Sequence, residues 1–279
     1  MRASAPSPQS RPHVVAKLQY LAPMKETLFN YTYGPPPGMP RTNAVYDERM
    51  VPIYDARDLG ATLDREGFEL YEQPTSVRNF DDEAELQRVY YPEIQRLVAK
   101  VAGCRRVEIF DYTIRRRPTV ATDPNIVTVQ RQPVMRVHND YTVKSGPQRV
   151  RDLCPGEAEE LLKHRFAFIN VWRPLSGPVL DHPLAVADAQ SVAFGDFVRS
   201  EQRYEDRVGE IYVVTYNPAH RWYYMPGMRK EETLFLKCYD SLTDGTARFA
   251  PHSAFNDPTT PKDAPPRESI EIRTIAFWA

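Results

Sequence analysis

The second half of the chain is a succession of short segments rich in Val, Ile, Phe, Tyr and Trp, and this pattern constrains the fold more than any other feature. Pro, Gly, Asp or Asn residues separate each segment from the next. Short apolar segments divided by turn residues are typical of β-strands. Because few helical segments lie between them, they favour a sandwich or jelly roll over a parallel α/β sheet. The predicted strands, about nine in number, are 107–115, 133–142, 166–175, 183–194, 210–216, 220–225, 233–239, 247–252 and 269–278.

Two helices are expected to flank these strands. The clearer one covers 82–103, where Asp82 and Glu85 have the spacing of a capping box and apolar residues recur at helical intervals. Pro92 lies inside this segment and predicts a kink. A second helix is expected over 147–164, with its acidic residues on the face toward solvent. The chain is therefore expected to be mainly β with flanking helices.

The chain is expected to form one domain preceded by a leader. Residues 1–12 are rich in Ser, Pro and Ala, a composition typical of disordered termini. Residues 13–279 are expected to fold as a single domain, in which 13–104 form an N-terminal arm and helix and 105–279 form the jelly-roll core. The sequence before the helix has little regular pattern, and we expect an extended arm packed on the core.

Charge and composition exclude several classes of function. With 36 Lys and Arg against 37 Asp and Glu, the net charge is −1, so no overall positive field attracts nucleic acid or an anionic membrane surface. No apolar stretch approaches the roughly 18 to 20 residues of a membrane helix, and the N-terminus lacks the apolar core of a secretory signal, so a cytoplasmic location is expected. Three cysteines without CxxC spacing argue against a disulfide framework and a cysteine-ligated zinc site.

The sequence His138-Asn-Asp140 is the first candidate for chemistry. On a strand, residues two apart share a face, so the imidazole and the carboxylate converge. One carboxylate and two imidazoles form the facial triad that holds non-haem Fe(II). The pair alone does not decide the matter, because six histidines and 37 acidic residues in 279 positions give about 0.8 such pair by chance.

The C-terminal strands supply candidates for the rest of such a site. His252 lies on the penultimate predicted strand, where a jelly-roll oxygenase carries its second imidazole ligand, and His220 is the rival candidate on an earlier strand. On the last strand, Arg267 offers a guanidinium fork for a cosubstrate carboxylate, and the Ser269 hydroxyl shares its face. Arg273 has the same parity and is the alternative anchor.

Several other polar residues need an interpretation. Asn170 and Arg173 lie three apart on a predicted apolar strand and therefore face opposite sides, and we expect Asn170 to line the pocket. A buried amide without a partner costs about 1 to 3 kcal/mol, so it should bind a ligand or a backbone group. Tyr141 should point away from the site as a packed aromatic, and Lys237 has the alternation of an inward residue. Three arginines have either a solvated role or a role in carboxylate recognition: Arg131, Arg136 and Arg149.

Eight sequence blocks together resemble the CmcJ/AsaB-like hydroxylase/desaturase family. The resemblance spans Leu18 to Phe277, and the order of the blocks is more specific than any one of them. The blocks are Tyr-Tyr-Pro-Glu93, Ile109-Phe-Asp-Tyr-Thr-Ile-Arg115, His138-Asn-Asp140, Ile169-Asn-Val-Trp-Arg-Pro174, His220-Arg-Trp-Tyr-Tyr-Met-Pro226, Lys237-Cys-Tyr-Asp-Ser241, His252-Ser-Ala-Phe-Asn-Asp-Pro258 and Pro266-Arg-Glu-Ser-Ile-Glu-Ile-Arg273.

The resemblance implies a double-stranded β-helix (jelly roll, cupin-like) core and a dioxygenase that uses Fe(II), 2-oxoglutarate and O2. It implies metal ligation by His138, Asp140 and His252 and oxoglutarate binding by Arg267 and Ser269. The expected activity is hydroxylation or desaturation of a small-molecule natural-product intermediate, with release of succinate and CO2. The abundant aromatic residues are compatible with an apolar substrate and the arginines with a carboxylate-bearing one.

Two alternatives remain open at this point. In one, the chain is a non-catalytic cupin-like binding or accessory protein whose histidines only pack. In the other, it is a metal cupin enzyme that works without oxoglutarate. Turnover of oxoglutarate to succinate separates both alternatives from the dioxygenase.

Overall fold

The computed structural model describes residues 11–116 and 131–279. The predicted leader therefore lies outside the described residues except for its last two positions. Arg11 is buried, and its guanidinium donates to the backbone oxygens of Asp55 and Asp58 at 3.5 and 3.3 Å. No helix in these two ranges is long and apolar enough to cross a membrane.

Two curled sheets enclose the core, and this arrangement confirms the predicted double-stranded β-helix. The nine-stranded sheet has the order β1-β3-β11-β8-β13-β6-β10-β9-β2, and the five-stranded sheet has the order β4-β12-β7-β14-β5. The strands are β1 His13–Leu21, β2 Leu28–Tyr31, β3 Tyr46–Asp55, β4 Phe68–Glu72, β5 Arg106–Arg116, β6 His138–Asn139, β7 Phe166–Pro174, β8 Leu184–Ala187, β9 Phe197–Arg203, β10 Val208–Val214, β11 Trp222–Tyr224, β12 Glu232–Asp240, β13 His252–Ala254 and β14 Glu268–Phe277.

The N-terminal arm is more regular than its sequence suggests. Strands β1 and β3 pair antiparallel along their whole lengths and extend the nine-stranded sheet, while β4 joins the edge of the five-stranded sheet. Ala16, Leu18 and Tyr20 of β1 are buried in alternation, which is the period-two pattern of a half-buried strand. The arm is thus extended chain packed on the core, and its pairing into the sheet is what the sequence did not indicate, because prolines and polar residues around β1 to β3 obscure that short alternation.

The helix predicted over 82–103 is present but interrupted. It consists of α1 (Glu83–Glu85), a π-helical turn (Leu86–Tyr90) and α2 (Tyr91–Ala102). The Asp82 carboxylate caps it by accepting from the backbone N–H groups of the first turn. Pro92 stands at the start of α2, where a missing N–H is tolerated, and the irregular turn precedes it.

The apolar face of α2 covers the outside of the five-stranded sheet. Ile94, Leu97 and Val98 are buried in the same cluster as Ile270 and Ile272 of β14. The opposite face of β14 is therefore the one that faces the interior of the barrel.

The second predicted helix is two short ones, α3 (Ser145–Leu153) and α4 (Ala158–Leu161). Pro155 and Gly156 lie between them, and a proline cannot continue the hydrogen-bonding pattern of a helix. The strands predicted over 133–142 and 247–252 are also shorter than expected, since only β6 and β13 are regular there.

Candidate active site

His138 and His252 lie opposite each other on neighbouring antiparallel strands, β6 and β13. Their ring centroids are 4.5 Å apart. In each ring Nδ1 contacts the carbonyl two residues earlier, Arg136 O at 2.9 Å and Ala250 O at 3.1 Å. Because a carbonyl only accepts, each Nδ1 must carry the proton and donate. Both Nε2 atoms therefore present lone pairs, which is the tautomer required of a metal ligand.

Asp140 completes a group of three. Its Oδ1 is 3.6 Å from Nε2 of His138, and one ligand atom from each of His138, Asp140 and His252 lies within 4.8 Å of the other two. The second carboxylate oxygen accepts from Nδ2 of Asn170 at 2.7 Å and lies 3.7 Å from Nε of Arg273. Two neutral nitrogens and one carboxylate oxygen at this spacing are the donor set of a non-haem Fe(II) centre.

The surroundings of Asp140 and His138 determine their protonation states. Burial would raise the pKa of Asp140, but the charges of Arg273 and of the two histidines, together with the Asn170 hydrogen bond, hold that pKa well below its ordinary value. Burial and the neighbouring His252 lower the pKa of His138 well below that of a free imidazole. At neutral pH the group therefore offers an anionic carboxylate and an uncharged His138 ring.

Arg267 directly precedes β14, and Ser269, the second residue of that strand, shares its face. Both are almost fully buried. Arg267 lines one pocket together with His138, Asp140 and His252, which we call the metal-type residues. The guanidinium contacts the His182 carbonyl through Nη1 and stacks over Trp172 with its Cζ 5.5 Å from the ring centre. Burial and the nearby charge of Arg115 lower the pKa of Arg267 to about 9.

Three buried polar atoms around this pocket have no hydrogen-bond partner among the described residues. They are Nε of Arg267, Oγ of Ser269 and Oδ1 of Asn170. Buried polar groups in native proteins are nearly always paired. A dicarboxylate lying between the metal-type residues and Arg267 would satisfy the two donors, so the pocket fits 2-oxoglutarate.

Arg273, the alternative anchor, is engaged by acids of the chain itself. Its Nη1 is 2.8 Å from Asp111 and 3.0 Å from Thr113, and its Nη2 is 2.7 Å from Glu271. Burial alone would lower its pKa, but Glu271, Asp140 and Asp111 raise it above the ordinary value of an arginine. Its contacts make Arg273 a positioning residue for Asp140 and leave it little capacity to anchor a ligand.

Asn170 faces the pocket and Arg173 faces away from it, as their spacing on β7 predicts. The Asn170 amide nitrogen donates to the Asp140 carboxylate, whereas the sequence had suggested substrate, cosubstrate or a backbone carbonyl as its partner. The Arg173 guanidinium lies on the other side of the sheet and donates to Gln73 O and Lys230 O at 2.7 Å each and to the Tyr90 hydroxyl at 3.1 Å.

His220, the rival ligand, lies in a separate hydrogen-bond network. Its Nδ1 is 3.1 Å from the Tyr20 hydroxyl and its Nε2 is 3.1 Å from Oδ2 of Asp196. The ring also stacks on Tyr20 with centroids 5.6 Å apart. Because both ring nitrogens have partners within the protein, His220 is a structural histidine.

The remaining sequence candidates have structural contacts. Tyr141 stacks on Phe168 with ring centroids 4.0 Å apart. Lys237 points inward, as its alternation indicates, and binds two carboxylates of the chain, those of Asp64 and Asp240. Three arginines have the following contacts: Arg131 donates to the Thr113 hydroxyl at 3.2 Å, Arg149 lies over the Phe110 ring at 5.1 Å, and Arg136 provides the carbonyl that orients His138.

Sequence reasoning did not propose six residues that line the pocket: Arg115, Val134, Trp172, Leu184, Ala254 and Glu271. The alternation of strand residues could have predicted Glu271, because it lies two residues after Ser269 on β14 and therefore faces the same side. Arg115 carried no such signal, since its position depends on which strand pairs with β14.

Comparison with known proteins agrees with this geometry. Residues 18–277 match a family model described as an oxidoreductase/YMDC permease-like domain. The chain is 34% identical over 262 residues to the Fe(II)/2-oxoglutarate-dependent dioxygenase nvfI of Aspergillus novofumigatus, covering 91% of each chain. It is 33% identical over 258 residues to the hydroxylase/desaturase efuI of Hormonema carpetanum, covering 85% of this chain and 86% of that one.

A solved structure is similar over almost the whole chain. The iron and alpha-ketoglutarate-dependent endoperoxidase NvfI superposes with a TM-score of 0.84 at 29% sequence identity, covering 95% of this chain and 98% of the other.

Proposed function

The chain belongs to the CmcJ/AsaB-like hydroxylase/desaturase family and is an Fe(II)/2-oxoglutarate-dependent dioxygenase, and from this premise we propose how its own residues carry the reaction. It hydroxylates or desaturates a small-molecule natural-product intermediate and converts oxoglutarate to succinate and CO2. The observation that carries the residue assignment is the convergence of His138, Asp140 and His252 in one pocket with the unpaired donors of Arg267 and Ser269.

In this proposal Nε2 of His138, a carboxylate oxygen of Asp140 and Nε2 of His252 would hold the metal. This donor set, two imidazoles and one carboxylate, is that of non-haem Fe(II) oxygenases. When bound, Fe(II) with oxoglutarate and O2 supplies the oxidising power to remove hydrogen from a C–H bond. The backbone carbonyls that hold each Nδ1 proton keep both rings aimed at the metal position.

Arg267 and Ser269 bind the far carboxylate of oxoglutarate. A guanidinium presents two parallel N–H donors to a carboxylate, and burial strengthens the interaction because water competes little. Asn170 and Arg273 keep Asp140 ionised and fixed in orientation. Apolar walls formed by Val134, Trp172, Leu184 and Ala254 limit water in the pocket.

A small molecule is the substrate class of the family, and we propose that the substrate carries an acidic group. The half-buried Arg136 and Arg149, which flank the His138 and Asp140 segment in the sequence, support this because they offer positive charge to an anion. We also propose a cytoplasmic location, because Cys104, Cys154 and Cys238 are all unpaired thiols, a state that reducing compartments maintain.

The decisive experiment measures binding and turnover separately. Anaerobic addition of Fe(II) and 2-oxoglutarate should produce a weak visible charge-transfer band, and admission of air should then produce succinate. His138→Ala should lose both signals. If the wild-type protein shows neither the charge-transfer band nor succinate, the proposed site is contradicted. The two alternatives would then remain, a binding protein and an oxoglutarate-independent metal enzyme.

A further inference from the structure

Arg115 lines the pocket but has no role in the proposed mechanism. It lies near the end of β5 and pairs directly with Ser269 of β14. Residues that pair across an antiparallel ladder point to the same side of the sheet. The Arg115 side chain therefore stands on the inner face beside Ser269, and it lines the pocket together with Arg267 and the metal-type residues.

The charges on this inner face are unevenly neutralised. Arg273 is bound by Asp111 and Glu271, whereas Arg115 forms no ion pair with a carboxylate within the described ranges. Its one hydrogen bond there runs from Nη1 to the backbone oxygen of Gln132 at 3.0 Å. Most of the guanidinium donors of Arg115 thus remain available to a ligand in the pocket.

Asp181 and Glu271 place negative charge near Arg267, but its side chain still has an unfilled donor. Its guanidinium contacts a backbone carbonyl, and its Nε has no partner among the described residues. Burial lowers the pKa of both guanidinium groups, and the charge of Arg115 contributes to the lowering at Arg267. An anion between two such cations would remove the repulsion and supply the missing acceptor atoms.

We propose that Arg115 and Arg267 form a paired-guanidinium site for one carboxylate in the pocket. This inference rests on the proposed function. The carboxylate is the far end of oxoglutarate, which Arg267 and Ser269 bind in the proposed function, and Arg115 pairs directly with Ser269. Arg115 therefore contacts oxoglutarate, and its charge favours a 2-oxo acid that carries a second carboxylate.

The test uses Arg115→Gln in the Fe(II)-loaded protein under anaerobic conditions, with the charge-transfer band as a readout of binding. Oxoglutarate is compared with 2-oxopentanoate, which has the same carbon chain without the far carboxylate. If the carboxylate is that of oxoglutarate, the variant binds oxoglutarate about 10- to 100-fold more weakly and binds 2-oxopentanoate as the wild type does. A general loss of structure would weaken both ligands equally.

The second arm measures binding of hexanoate to the oxoglutarate-loaded protein by tryptophan fluorescence. A variant that keeps the affinity for oxoglutarate but loses a binding of hexanoate that the wild type shows would contradict the inference and assign Arg115 to the substrate instead. Unchanged affinity for both ligands overturns the inference. A wild type that gives no band with oxoglutarate overturns the proposed function as well, so the two failures are distinguishable.

Arg116→Gln is the matched control. Arg116 is the next residue on β5, faces the other side and binds Asp81 and Glu268 there. Arg116→Gln should leave the affinities for oxoglutarate and for 2-oxopentanoate unchanged. If the thermal unfolding curve shows that Arg115→Gln does not fold, Arg115→Lys replaces it. This variant keeps the charge but loses the guanidinium fork, so it should show the same selective loss of oxoglutarate affinity at a smaller size. Wild-type affinity for oxoglutarate in Arg115→Lys would overturn the inference.

Discussion

Asn170 donates a hydrogen bond from its amide nitrogen to Oδ2 of Asp140 at 2.7 Å, from the five-stranded sheet to the nine-stranded one. The bond holds the one carboxylate of the three-residue group in place between the two sheets. Outer partners of this kind typically change metal affinity 10- to 100-fold when removed. It links the stability of the barrel to the geometry of the candidate metal centre.

Asn170→Ala should therefore weaken metal binding about 10- to 100-fold while the protein remains folded. Competition with a chelator, monitored by metal content, measures the effect. Asn217→Ala is the matched control, because Asn217 makes a similar bond to Asp196 at 3.1 Å in a different part of the molecule. Equal metal affinity in the two variants would contradict the role given to Asn170.

His252→Ala should abolish iron retention, whereas His220→Ala should retain iron. Loss of His220 leaves Asp196 and Tyr20 without their imidazole partner, so that variant should be less stable by about 1 to 3 kcal/mol. Iron content and urea unfolding measured on both variants separate ligand from structural histidine. The reverse result would reassign the third ligand to His220.

Arg267→Ala should raise the oxoglutarate requirement steeply, by about 2 to 5 kcal/mol in apparent binding, because the ion pair is buried. Arg273→Ala should instead weaken metal binding, because the Arg273 guanidinium faces Asp140 and Glu271. Titration of each variant with oxoglutarate and with Fe(II) tests the difference. If Arg273→Ala weakens the binding of oxoglutarate and leaves Fe(II) binding unchanged, Arg273 and not Arg267 binds the far carboxylate of oxoglutarate.

The stability of the metal-free protein should fall as pH is lowered from about 7 to 5. Burial depresses the pKa of His138 in the folded state, so below about pH 6.5 the unfolded chain takes up a proton that the folded chain resists. Stability is therefore present above that pH and is lost below it. His138→Asn should give a shallower dependence in urea unfolding, and parallel curves for the two proteins would contradict this prediction.

Lys237→Met should destabilise the fold without loss of the metal site. The substitution leaves the fully buried Asp240 without one of its two cationic partners, while Arg165 keeps its contact at 2.8 Å. We expect a loss of about 2 to 3 kcal/mol in the free energy of unfolding. Metal affinity in the folded variant should equal that of the wild type, and a large change would indicate that Lys237 serves the site.

Much of this protein could be read from local sequence. Alternation and turn residues determined where most strands lie, and the two-residue spacing determined that His138 and Asp140 converge and that Arg267 and Ser269 share a face. Helical spacing likewise predicted the 82–103 segment, whose inner face packs on β14. These properties depend on residues a few positions apart, so the sequence carries them directly.

Only the tertiary structure decided which of these faces meet. His138 and His252 are 114 positions apart and become neighbours because β6 pairs with β13, and Arg115 reaches the pocket because β5 pairs with β14. The same pairing binds Arg273 to Asp111 and leaves Arg267 available. Strand order and register are set by the total burial of many distant side chains, and no local pattern specifies that sum.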